Sequence, residues 1–246
     1  MERAEVPAVS FEYVKNVLVS GDGNPYPGGA ADYERQLRSI LNTVKSTGTG
    51  KTVMGFFALR SHRAWIVPPD GLVCKVDAGA QPVDFVAAFR RGMDLRDGVD
   101  GHVDPRHRRG SGVGSDSRVH FHPIHWSNSA TTFTTAEEVI IHELFHAMRQ
   151  AFGALRNTPM PDFKTVKELY SIFVENMYAN EKGLPLRADK GPRNRSPDHA
   201  MAHNPAFHAP MRDLFAMMPT IGNALARVNG SYNPFRDWKE FSRTVH

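Results

Sequence analysis

"VIIHELFHAMRQ", residues 139–150, carries His142 and His146 four positions apart, with Glu143 directly after the first. On a helix, residues four apart lie one turn apart on the same face, so two imidazoles can point at one ion. Glu143 is rotated away from them, where it can take a proton from water rather than bind the metal. Zinc suits such a set: a catalytic site takes three protein ligands and leaves a fourth position for water. The metal lowers the pKa of that water towards ~7, and a carboxylate completes its activation. The plain alternative is a buried helix that happens to be rich in histidine. Chance alone yields roughly 0.03 such patterns in a chain of this length. The neighbours Val139, Ile140, Ile141, Leu144, Phe145 and Met148 are apolar. Burying a glutamate and two histidines among them without a partner would be costly. The metal reading is preferred.

The helix borders are also legible. Thr135 with Glu138 three residues later matches a capping box, and Gly153 is a natural stop. A third ligand must come from elsewhere. "PDFKTVKELYSIFVENMYANEKGLPLR" (residues 161–187) reads as a second helix holding Glu168 and Glu175 on one face, with Ser171 between them. Two turns separate the carboxylates by about 10.5 Å, so only one can bind the same ion. Glu168 is favoured and Glu175 is the alternative. Each has a plain role open to it: Thr165 and Glu168 also form a capping-box pattern, and Glu175 could orient a ligand from behind.

Further upstream, residues 20–30 ("SGDGNPYPGG") read as a loop or linker. The first 25 residues are expected to be loosely attached to a single domain spanning 26–246. Tyr33, Leu37, Ile40, Leu41 and Val44 recur at helical spacing up to about Lys45, and Gly48 and Gly50 should end that helix. "TVMGFFAL" and "AWIVPP" read as strands, and "PVDFVAAFRRGM" as a helix. "RDGVDGHVDPRHRRGSGVGSDS" has no periodicity and reads as a long surface loop. In "SRVHFHPIHW" (residues 117–126), Val119 and Phe121 alternate with His120 and His122, and Pro123 marks an edge or an end. The architecture expected is α+β and zincin-like: a small mixed sheet, an active-site helix and a ligand helix.

Composition bounds the rest. Apolar residues make up 41% and charged residues 23%, ordinary for a soluble globular chain. A net charge of +4 is too mild and too spread out to imply nucleic acid. Cys74 is the one cysteine, so no internal disulfide can form, and a reducing compartment fits best. No run is apolar enough for a membrane span, and the start does not read as a secretory signal.

"HELFHA", "GSGVGSDSRVHFHP" and "KELYSIFVENMYANEKGLPLR" together resemble the NleD-like effector metallopeptidases of bacterial pathogens, over roughly residues 30–190. "STGTGKTVMGFF" also fits that group. The site is similar as well to that of clostridial neurotoxin light chains, where the ligand glutamate is followed three residues later by a small side chain. On that pattern the ligand is Glu168, followed by Ser171. The family tends to have two glutamates where this chain has Lys167 and Glu168. A tyrosine often follows the Pro-Leu-Arg element, where this chain has Lys190. The resemblance implies a zinc endopeptidase released by a bacterium without a cleavable signal peptide. It would act in the host cytoplasm on a signalling protein such as a stress-activated MAP kinase.

The expected mechanism uses one zinc per chain on His142, His146 and Glu168, with Glu143 as the base. An oxyanion donor is needed. Arg187 and Tyr178 lead the candidates, followed by Tyr170, Tyr232 and His122. A monomer is expected, with its protein substrate laid along an edge strand at 117–125. "DPRHRRG" (Arg106, His107, Arg108, Arg109) reads as a solvated basic loop, and His199, His203 and His208 match no metal pattern. The rival reading is a non-enzymatic binding protein with a fortuitous His-Glu helix and a basic loop contacting nucleic acid. Replacing Glu143 separates the two.

Overall fold

The computed structural model describes residues 11–22, 26, 28–69, 78–95, 109–123, 135–160, 163–187 and 205–244. A five-stranded mixed sheet is built from β1 (Phe11–Val14), β2 (Val17–Val19), β3 (Ala64–Val67), β4 (Gly79–Pro82) and β5 (Ser117–His120), in the order β1-β2-β3-β5-β4. β2, β3 and β5 run parallel, while β1 and β4 flank them antiparallel. Strand side chains alternate between two faces. Val17, Val19, Ala64, Ile66, Val119 and Phe121 enter the main core, whereas Leu18, Trp65 and Val67 form a small cluster of their own.

Within the first 25 residues, Phe11–Val14 and Val17–Val19 are strands of this sheet. The β1–β2 turn is fixed by Asn16, which adopts φ 66 and donates through its side-chain amide to the carbonyls of Phe57 (3.0 Å) and Arg60 (2.6 Å). Asparagine tolerates that left-handed backbone because its short polar side chain can bond locally.

Helix α1 (Gly29–Lys45) buries Tyr33, Leu37, Leu41 and Val44 as its periodicity predicts, and the Tyr33 hydroxyl donates at 3.2 Å to the carbonyl of Phe121, just after β5. The next segment differs from expectation. Residues Gly48–Phe57 form helix α2, not a strand, and Gly48 and Gly50 start it instead of ending α1. Thr47 caps it, its hydroxyl accepting from the Gly50 N–H at 3.0 Å. The Glu181 carboxylate accepts from the N–H groups of Gly48 (2.6 Å) and Thr49 (2.8 Å). A Cβ at Gly50 would lie 2.0 Å from the Val44 carbonyl oxygen, so only glycine fits this close turn.

The helix expected around residues 82–93 shrinks to α3 (Phe85–Ala88), capped by Asp84. The chain then bends to form a bridge between Phe89 and Leu155. Residues 110–115, the end of the expected long loop, are pinned by backbone bonds to Met93, Val86, Phe89, Ala87 and Gln150. Residues 96–108 of that loop lie outside the described residues, as do Cys74, Lys190, His199 and His203. Among the described residues no helix is long and apolar enough to cross a membrane.

Helix α4 (Ala136–Ala151) begins at Thr135 with both halves of the capping box formed, and Gly153 follows its end at φ 61. It is buried almost throughout and packs against α1, α2, the sheet and α5 (Val166–Glu181). A short ribbon of β6 (Pro159–Met160) and β7 (Lys164–Thr165) links α4 to α5. Three further helices, α6 (Pro205–Met217), α7 (Pro219–Leu225) and α8 (Pro234–Thr244), each open on proline, whose missing N–H costs nothing in a first turn. Phe207, Leu214, Phe235 and Trp238 from these helices join the main core.

Candidate metal centre

His142 and His146 lie on consecutive turns of α4, with Nε2 atoms 3.1 Å apart. Glu168, in the first turn of α5, reaches both: Oε2 is 3.5 Å from His142 Nε2, and Oε1 is 3.5 Å from His146 Nε2. One ligand atom from each residue can be chosen so that all lie within 4.8 Å of one another. A tetrahedral zinc with bonds of about 2.1 Å sets its ligand atoms about 3.4 Å apart. The two Nε2 atoms are 3.1 Å apart and each lies 3.5 Å from one oxygen of the carboxylate, close to that spacing, and the donor set of two imidazoles and a carboxylate fits zinc chemistry.

Glu168 is not used as a cap, because Thr165 makes no side-chain cap bond at the start of α5. Glu175 takes the orienting role instead. Its Oε2 lies 3.0 Å from His142 Nδ1, so a proton on Nδ1 leaves the Nε2 lone pair facing the cluster. Arg187 Nη1 is 3.2 Å from the same Glu175 oxygen. Asn176 accepts from the Arg187 N–H (2.7 Å) and donates to its carbonyl (2.6 Å). The segment from Glu175 to Arg187 thus folds back on itself behind His142.

Charge explains why a cation suits the place. Burial disfavours a charged His142 ring, but its hydrogen bonds to Glu168 and Glu175 and the nearby Glu143 charge outweigh that and push its pKa up to about 10. His146 goes the other way, lowered chiefly by burial. Burial also opposes the Glu168 carboxylate, yet the two histidines hold it far below the usual carboxylate range.

Glu143, almost fully buried, faces a cleft of about 650 Å³ that is also lined by His146, Glu168, Lys167 and Gln150. Residues of β4, Gly79–Pro82, line the cleft as well. Glu143 Oε2 accepts from the Ala80 N–H, and Gln150 Nε2 donates to the Ala80 carbonyl, both at 2.8 Å. The edge strand beside the site is therefore β4. β5 lies inside the sheet between β3 and β4, so residues 117–120 of the segment expected as an edge strand are not at an edge. Residues 124 and 125 lie outside the described set.

The expected oxyanion donors do not line this cleft. Arg187 is held by Glu175, and Tyr178 is core, its hydroxyl pKa raised by burial near Glu137 and Glu138. Tyr170 is buried and donates to the Pro210 carbonyl, and Tyr232 is buried as well. His122 packs against the Tyr26 ring, with centroids 5.1 Å apart. His208 sits on α6 against Trp238 and Phe241. Sequence reasoning missed Ala80, Lys167 and Gln150. Only Gln150 left a signal: it follows His146 by four residues, so the ligand stripe of α4 continues to it.

No protein-family model matches the chain, and no curated protein matches it. Among solved structures it is similar to the catalytic domain of Clostridium botulinum neurotoxin serotype F, at TM-score 0.41 and 14% identity. The likeness covers 93% of this chain and 66% of that one, just under two thirds.

Proposed function

We propose that the chain is a zinc-dependent endopeptidase. One observation carries this reading: His142, His146 and Glu168 converge with metal-ligand spacing at the wall of a cleft into which Glu143 also faces. A zinc ion held there supplies Lewis acidity, lowering the pKa of water and polarising a carbonyl. Glu143 accepts the proton of the attacking water and returns it to the departing amine. The Ala80 N–H fixes the orientation of the Glu143 carboxylate, and Glu175 fixes His142. The sequence resemblance extends the proposal to a secreted bacterial effector that cuts a host signalling protein such as a stress-activated MAP kinase.

The test is metal content by mass spectrometry on wild type, Glu168→Ala and Glu175→Ala. We expect one zinc per chain in wild type, lost with Glu168 and retained, more weakly, with Glu175. The opposite pattern would move the third ligand to Glu175. A wild type that takes up no metal when zinc is supplied would end the enzyme reading. Glu143→Ala separates an enzyme from the binding-protein alternative: the enzyme loses turnover with fold and zinc intact, whereas a binding module keeps its affinity.

A further inference from the structure

Lys167 stands in the first turn of α5, next to the ligand Glu168, and lines the cleft. Adjacent helix residues do not face each other, so the neighbouring Glu168 is not its natural partner. Glu168 is in any case turned to His142 and His146, and Glu143 accepts from Ala80. Among the described residues the Lys167 side chain forms no ion pair or hydrogen bond. The remaining polar residues of the lining, Gln81, Gln150 and Asn157, carry no charge. One cation therefore faces the cleft without a carboxylate of its own.

The other half of the lining is apolar. Phe89 and Leu155 belong to a small cluster, separate from the main core, against which Phe85 packs, and all three border the cleft. At about 650 Å³ the space falls in the range of sites that bury a ligand and fix it with a few polar groups. A charge in a low-dielectric cleft attracts its counter-ion more strongly than one on an open surface.

We propose that this cleft selects peptides with an acidic side chain near the bond to be cut, read by Lys167, and a large apolar side chain close by that packs on Phe85, Phe89 and Leu155. The inference rests on the peptidase reading and names its substrate class. Phosphate is a poorer fit than carboxylate, because its charge of about −2 would meet Glu143 and Glu168 in the same space.

The experiment uses the zinc-loaded full chain and a pool of 12-residue peptides of randomised sequence, with cut sites read by mass spectrometry. Single peptides carrying Asp, Asn or Lys at the selected position are then compared by kcat/KM on wild type, Lys167→Met and Lys167→Glu. Zinc content of each variant is measured as a check on the site. We expect wild type to favour the Asp over the Lys peptide by about tenfold, the scale of one partly exposed ion pair made and then reversed. Lys167→Met should erase that ratio and Lys167→Glu invert it, with the change carried mainly by KM. Cleavage by wild type with no acidic preference, or a preference unchanged in both variants, overturns the inference and leaves the peptidase reading standing. If the zinc-loaded wild type cuts no peptide in the pool, both fall together.

Discussion

Glu143 accepts a hydrogen bond from Ala80, so its orientation is set by a strand as well as by its own helix. Glu143→Gln keeps the shape and removes the base. We expect turnover to fall by about 10²- to 10⁴-fold with zinc retained, measured by peptide cleavage and metal content together. Glu175 stands behind His142 rather than on the metal position. Glu175→Ala should weaken zinc binding by about 10- to 100-fold in a competitive chelator titration, without abolishing it. Arg149 poses a different problem. It is fully buried, donates Nη2 to the Ala154 carbonyl at 2.7 Å and lies over the Tyr170 ring, while Nε and Nη1 have no hydrogen-bond partner. Burial lowers its pKa to about 10. A buried, incompletely bonded charge is often replaced by an apolar residue at no loss. Arg149→Met is expected to raise stability by about 1 kcal/mol in urea unfolding, and a loss larger than that would show the guanidinium to be stabilising. The helical spacing of His142 and His146 made their shared face readable from the sequence. The choice between Glu168 and Glu175 was not settled by spacing, because both project from one face of α5 and only their tertiary contacts differ: Glu168 meets the two Nε2 atoms and Glu175 meets His142 Nδ1.

At the scale of elements, α2 shows why local pattern misleads. Its residues are rich in strand formers, and the anion that holds its first turn is Glu181, more than a hundred residues away in the chain. No reading of "STGTGKTVMGFF" alone can supply that carboxylate. Glu181→Ala should cost about 1 kcal/mol, the usual worth of a lost cap, in chemical denaturation. β4 was hidden for the opposite reason: Gly79–Pro82 has almost no strand propensity and holds its place through its pairing with β5 and the two bonds from α4 to Ala80. The capped helix α4, by contrast, was legible at both ends, since Thr135, Glu138 and Gly153 act on their own neighbours. Gln150→Ala removes one of the two bonds to Ala80. We expect kcat to fall by about tenfold with KM and zinc content little changed, because the strand that orients Glu143 loses an anchor.

Across the whole molecule, the C-terminal helices belong to the core that carries the site. Phe207 meets Phe163 and Phe173 edge-on at centroid distances of 5.7 and 5.8 Å, and Phe235 meets Phe173 at 6.4 Å. Asp213 on α6 pairs with Arg90 and Arg156, the residues that follow Phe89 and Leu155 of the cleft wall. A chain ending at residue 204 should therefore fail to fold, seen as lost near-ultraviolet dichroism, and Phe207→Ala should cost about 3–5 kcal/mol. Where these helices dock was not legible in the sequence, because aromatic contacts between distant segments leave no periodic trace. Helix α5 lies in this core with a carboxylate engaged at each end, Glu168 toward the two histidines and Glu181 on the first turn of α2. The two anchors are independent, so in the proposed zinc form removal of the metal would loosen the Glu168 end and leave the Glu181 end in place. In hydrogen–deuterium exchange, chelation should speed exchange of amides near Leu169 and Tyr170 while those near Tyr178 and Ala179 stay slow. The helix would then breathe from one end only, like a door still hung on its hinge.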